Sequence, residues 1–158
     1  MCTNSCPLPF KTVLPTLLLM QFEFLPDVAI SDIAFRAYGK TREEVFVNCC
    51  HALTSMMASP EKIGTTQKRK ISVEGKDDKG LLYSILEELV YIKDVDGLLF
   101  KKFKIKINGG KLSAQCAGDT LENIGRENLL NDVKAITMHL FEIKSGKGKW
   151  SATVVADI

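Results

Sequence analysis

Two segments with helical spacing stand among runs that alternate with a period of two, and this arrangement constrains the fold of the chain more than any other feature. The first opens at Thr41-Arg42-Glu43-Glu44. This is a capping box, in which the Thr41 hydroxyl accepts from the Glu44 N–H and the Glu44 carboxylate reaches back. Val45, Phe46, Cys49, Cys50, Leu53, Met56 and Met57 follow at helical spacing and stop before Pro60. The second segment, capped by Asp77 or Asp78, buries Leu81, Leu82, Ile85, Leu86, Leu89, Val90 and Ile92 and closes at Gly97. Strands are predicted at Phe22–Leu25, Asp32–Tyr38, Lys68–Glu74, Leu98–Asn108, Lys111–Gly118, Asp132–Lys144 and Lys149–Asp157. Asn108-Gly109-Gly110 and Ser145-Gly146-Lys147-Gly148 join the last two pairs as hairpins. Leu121–Leu130 fits neither period. The predicted architecture is α+β, a two-layer sandwich with a mostly antiparallel sheet and two helices packed on one face.

A chain of 158 residues that is 46% hydrophobic and 25% charged is the size of one domain and buries a real core. That domain is expected over residues 20–158, because every periodic element lies there. Residues 1–19 form an extension. The apolar run from Thr12 to Met20 is too short to span a bilayer. With Lys11 its one basic neighbour and Pro15 inside the run, it is no signal peptide either. Five cysteines, two of them adjacent at Cys49-Cys50, do not make a secreted disulfide framework, so a reducing, cytoplasmic setting is expected.

Conventional catalytic patterns are missing. Cys50 and His51 are helix neighbours that point about 100° apart, which suits core residues better than a nucleophilic dyad. Asp94-x-Asp96-Gly97 lacks the later oxygen ligands of a calcium loop and reads as a helix-ending turn. A net charge of +2 makes no general field for nucleic acid. The row Lys102, Lys104, Lys106 has no interleaved aromatic residue, so RNA contact is expected to be indirect or weak. One further cluster depends on topology. If the strand opened by Asp32 lies antiparallel to the strand closed by Asp157 and Ile158, both aspartates and the terminal carboxylate converge. Two such charges at about 5 Å repel by roughly 3 kcal/mol at an effective dielectric of 20. A hard divalent cation would relieve that repulsion. The alternative is two solvated strand ends.

The segments Asp32-Ile33-Ala34-Phe35-Arg36-Ala37-Tyr38-Gly39-Lys40-Thr41, Gly80 to Gly97, Lys134-Ala135-Ile136-Thr137-Met138-His139 and Trp150 to Ile158 together resemble the archease family. The likeness covers about residues 20–158. It implies a protein without chemistry of its own, which activates the RtcB-type RNA ligase that joins tRNA halves by promoting ligase guanylylation and multiple turnover. A general chaperone or specificity modulator of an RNA-modifying enzyme, such as a tRNA methyltransferase, is the alternative function. The resemblance also implies a calcium site at Asp32, Asp157 and Ile158, and it gives Lys134 and His139 as candidate partner contacts. The family commonly has Asp-His-Thr-Ala before the first aspartate. Here Val28-Ala29-Ile30-Ser31 stands there, so no role of that His and Thr carries over.

Overall fold

A computed structural model of the chain describes residues 21–26 and 30–158. The extension expected over residues 1–19 lies outside the described residues. In chain order the elements are β1 (Phe22–Leu25), β2 (Asp32–Gly39), α1 (Arg42–Met57), β3 (Gln67–Glu74), α2 (Asp78–Asp96), β4 (Leu98–Asn108), β5 (Lys111–Thr120), α3 (Leu121–Ile124), β6 (Ala135–Gly146) and β7 (Lys149–Asp157). Single 3-10 turns at Pro60–Lys62 and Arg126–Asn128 complete the path, the second within the segment that fits neither period.

The local signals act as the sequence requires. The Thr41 hydroxyl accepts from the Glu44 N–H at 3.1 Å, while the Glu44 carboxylate reaches one residue further back than expected, to the Lys40 N–H at 2.6 Å. Asp77, not Asp78, caps α2 by accepting from the Gly80 N–H at 2.8 Å. Gly97 ends that helix in the left-handed region at φ 63°, where a side chain would be strained. The β6–β7 connection is the two-residue turn Lys147-Gly148, shorter than the four residues expected. Both its residues have positive φ, 49° and 72°, as a tight hairpin demands.

The α+β architecture and antiparallel pairing hold throughout. The strands divide, however, between two sheets instead of forming one: β1-β2-β7-β6 and β3-β5-β4. Both helices pack against both sheets, α1 on β2 and β4 and α2 on β6 and β3. The helices therefore do not merely cover one face of a single sheet. The consequence is visible along α1, where Asn48, Ala52 and Thr54 are buried besides the predicted apolar stripe. Its buried polar groups are satisfied: Asn48 Nδ2 donates to the Tyr38 carbonyl at 2.6 Å and Thr54 Oγ1 to the Phe100 carbonyl at 2.8 Å.

At the end of α2, the buried Lys93 ammonium ties the helix to the entry of β6. It donates to Asp132 Oδ1 at 2.5 Å, Asp94 Oδ1 at 2.6 Å and the Val133 carbonyl at 2.7 Å. Burial pulls its pKa down, but the hydrogen bonds it donates to Asp132 and Asp94, with their negative charge, outweigh this and the net shift is upward. A raised lysine pKa gives stability that is complete below the unfolded value of about 10.4 and is lost as pH rises through the folded value. Lys93→Met is expected to lower stability at neutral pH by about 1–3 kcal/mol, because the Val133 carbonyl loses its donor. The gap between wild type and variant in urea melts should then narrow above about pH 10.5. A gap that widens at high pH would contradict the assignment.

Candidate functional site

Antiparallel pairing of β2 and β7 sets Asp32 directly opposite Asp157, although the two residues come from opposite ends of the described chain. Beyond that pair, the Ile158 N–H donates to the Ser31 carbonyl at 2.8 Å. Ser31 and Ile158 thus make the hydrogen-bonded contact, which leaves Asp32–Asp157 as the non-hydrogen-bonded pair, with Cα atoms about 4.5 Å apart and side chains on one face. Both residues are half-buried. The Lys134 N–H closes the other flank on the Asp157 carbonyl at 2.8 Å.

The ladder explains why this strand end is held so firmly. Ala152, Val154 and Ala156 of β7 belong to the core together with Phe35 and Ala37 of β2. A one-residue slip would turn these residues outward and separate the two aspartates. On the face that carries Asp32 and Asp157, Thr137 of β6 stands opposite Val155, diagonal to Asp157. Its hydroxyl is buried and has no hydrogen-bond partner among the described residues. A buried, unsatisfied hydroxyl costs about 1–3 kcal/mol, so a site that supplies a water or an ion is favoured there.

The side chains that the ladder brings together here offer oxygens: the Asp32 and Asp157 carboxylates, with the Thr137 hydroxyl diagonal to Asp157 on the same face. This set fits a hard cation such as calcium or magnesium and does not fit zinc, which prefers histidine and thiolate. Among the described residues no group of three or more His, Cys, Asp or Glu side chains converges. A cation held between Asp32 and Asp157 would need further oxygens besides these two side chains.

Lys134 and His139 do not lie in one regularly paired strand. Lys134 precedes the first residue of β6, and the β6–β7 register shifts between Thr137 and Glu142, so His139 lies in a bulged stretch. Both side chains are exposed, His139 between Met138 and Leu140, which are 56% and 60% exposed. Leu140 adopts a positive φ of 59°, an unusual conformation for this residue type. Sequence reasoning missed Met138 and Leu140, since an apolar residue in a predicted strand reads as core.

The three described thiols, Cys49, Cys50 and Cys116, are all buried. Cys49 and Cys50 are fully buried, and burial raises both thiol pKa values well above the ordinary range. Burial likewise raises Cys116 to about 12. His51 packs edge-to-face on Phe103 at 5.3 Å, and burial lowers its pKa. These groups serve packing. Among the described residues no helix is long and apolar enough to cross a membrane.

Comparison with known proteins bears on the whole domain. The family model described as the Archease protein family matches residues 22–158. Protein archease of Pyrococcus abyssi is 39% identical over 133 residues, covering 81% of this chain and 93% of the relative. Protein archease of Methanothermobacter thermautotrophicus is 35% identical over 141 residues, covering 87% and 98%. Among solved structures, the solution structure of protein 1598 from Methanobacterium thermoautotrophicum superposes with a TM-score of 0.75 at 33% identity, covering 88% of this chain and 99% of that one. A crystal structure from Thermotoga maritima, titled as an archease and possible chaperone, superposes with a TM-score of 0.60 at 18% identity, covering 85% and 96%; it bears on the fold alone.

Proposed function

Since the chain belongs to the archease family, we propose that it is a non-catalytic accessory protein that binds calcium at Asp32, Asp157 and Ile158 and activates an RtcB-type RNA ligase. The observation that carries this reading is the opposed pair Asp32–Asp157 at the joined ends of β2 and β7. Among the described residues no histidine or cysteine side chain is grouped with it. What the pair offers is charge. Side by side, the two carboxylates and the terminal carboxylate repel one another, and a bound cation would offset that repulsion while leaving coordination positions for oxygens of a partner. Calcium takes six to eight oxygen ligands. The three residues of this ligand set supply fewer, which leaves positions for water or for oxygens of a partner. The flanking edge of the sheet, with exposed Lys134, Met138, His139 and Leu140, is the surface that a partner would meet first.

The chain's own residues position this site. The Ile158 N–H bond to Ser31 and the Lys134 N–H bond to Asp157 fix the backbone on both sides of the acids. The partner is then engaged without any bond being made or broken on this protein.

The test is multiple-turnover ligation of tRNA halves by the cognate ligase, with calcium present or chelated. The expected result is repeated turnover with the wild-type protein and calcium, and little beyond a single round without either. Asp32→Asn should keep the melting temperature but weaken calcium binding on the order of tenfold, since it removes one formal charge from the ligand set. Unchanged ligase turnover together with restored activity of an aggregating tRNA methyltransferase would move the assignment to a general chaperone.

A further inference from the structure

We propose that the outer face of the β3-β5-β4 sheet binds the sugar–phosphate backbone of a single-stranded nucleic acid. The row Lys102, Lys104, Lys106 on β4 is visible in the sequence, but the fold adds a second row. In the register of the sheet, Lys68 and Lys102 both face Ala117, Lys70 and Lys104 both face Gln115, and Lys106 faces Ser113. All five lysines are exposed, as are Ser113 and Gln115 between them. The opposite side of the same strands is the buried one, with Ile71, Ile105, Leu112 and Ala114 in the core.

Two lysine rows thus run along the sheet with a neutral polar strip between them. Within a row the spacing is about 6.7 Å, and between rows about 9.5 Å, from ordinary strand geometry. Among the described residues none of the five lysines joins an ion pair, whereas Arg69 on the buried side pairs with Asp96 at 3.0 Å. The acids on this face of the described sheet stand at its two ends, Glu74 on β3 opposite Lys111, and Asp119 on β5, whose carboxylate is taken up by Thr66, Thr120 and Asn123. Such charge is concentrated, since the whole chain carries only +2.

The chemistry selects the occupant. Protein interfaces are depleted of lysine and centre on aromatic or arginine anchors, and this face presents no such anchor. A phosphate backbone needs regularly spaced cations and hydrogen-bonding groups between them, as Ser113 and Gln115 provide, and it returns the free energy of released counterions. Without aromatic side chains on the face, base identity is not read, so binding is sequence-tolerant.

The inference does not rest on the ligase reading, and its test uses the isolated full-length protein. Fluorescence anisotropy with a labelled oligouridylate, titrated against salt, should give a log–log slope of about −3.5 for five phosphate contacts on a single strand. Lys68→Gln, Lys70→Gln, Lys102→Gln and Lys104→Gln combined should reduce that slope to about −0.7 and weaken binding on the order of tenfold or more at low salt. These side chains are exposed and join no ion pair among the described residues, so circular dichroism, the melting temperature and calcium affinity should stay as in the wild type. Lys147→Gln, on the turn of the other sheet, is expected to leave binding unchanged. Equal affinity for an oligothymidylate assigns the contact to phosphate alone, and tighter oligouridylate binding adds the ribose hydroxyl. No binding, an unchanged slope in the quadruple variant, or equal affinity for polyglutamate of matched charge would overturn the proposal.

Discussion

Asp157→Ala is expected to weaken calcium binding on the order of a hundredfold and to abolish ligase activation while the protein stays folded. The substitution removes one of the two carboxylates that the β2–β7 ladder places side by side, and among the described residues no third acidic side chain joins them. It should not unfold the sheet. Asp157 is half-exposed, its carbonyl still accepts from Lys134, and the neighbouring Ile158–Ser31 bond uses backbone atoms only. Easing the repulsion between the acids can even raise stability slightly in the absence of calcium. On the proposed ligand set, in which Ile158 contributes a free carboxylate, an extension beyond Ile158 should behave in the same way, because it turns that carboxylate into a neutral amide. Calorimetric calcium titration and multiple-turnover ligation at matched melting temperature check both variants. Wild-type calcium affinity in Asp157→Ala would remove that carboxylate from the ligand set, and wild-type activity of the extended chain would exclude a required terminal carboxylate.

Gly118→Ala should be the most damaging of small substitutions to stability. Gly118 lies in β5 opposite Phe100, next to the point where the β4–β5 register shifts between Phe100 and Lys102. A Cβ built there would stand 1.9 Å from the Leu99 carbonyl oxygen and 2.5 Å from the Phe100 Cα. Both atoms are backbone and neither can rotate away. Strand β4 must instead move off β5. This would displace the core residues Leu99 and Phe100 and strain the Thr54 hydroxyl bond to the Phe100 carbonyl. A loss of roughly 3 kcal/mol or more is expected, since core overpacking costs about 1–3 kcal/mol even where side chains can yield. For a domain of this size that corresponds to a fall of about 6–12 °C in Tm. Gly146→Ala is the internal comparison, because nothing lies within 4 Å of its added Cβ. Equal melting temperatures for the two variants would show that the β4–β5 contact is softer than its geometry implies.

Much of this protein was determined by the sequence alone, because the interactions concerned are local. Thr41 and Glu44 fix the start of α1, Asp77 and Gly97 bracket α2, and the alternation in β4 and β5 separates the lysines from the core, each within a few residues of chain. The archease motifs belong with these, being short runs of neighbouring residues. Other features were decided only when distant segments met. The division into two sheets follows from which strands pair, and it surrounds α1, so that Asn48 and Thr54 are buried on a side that periodicity could not mark as core. The shifts at Phe100/Lys102 and Thr137/Glu142 belong to pairs of strands and to neither strand by itself. They set the close approach at Gly118 and lift Met138 and Leu140 out of the core. The convergence of Asp32 with Asp157 was a conditional reading until β2 and β7 were seen to be neighbours, and the second lysine row became a partner of the first only across β5. Capping and periodicity are written in neighbouring residues, whereas register is set by the total burial of two strands at once, and no single stretch of sequence contains that sum.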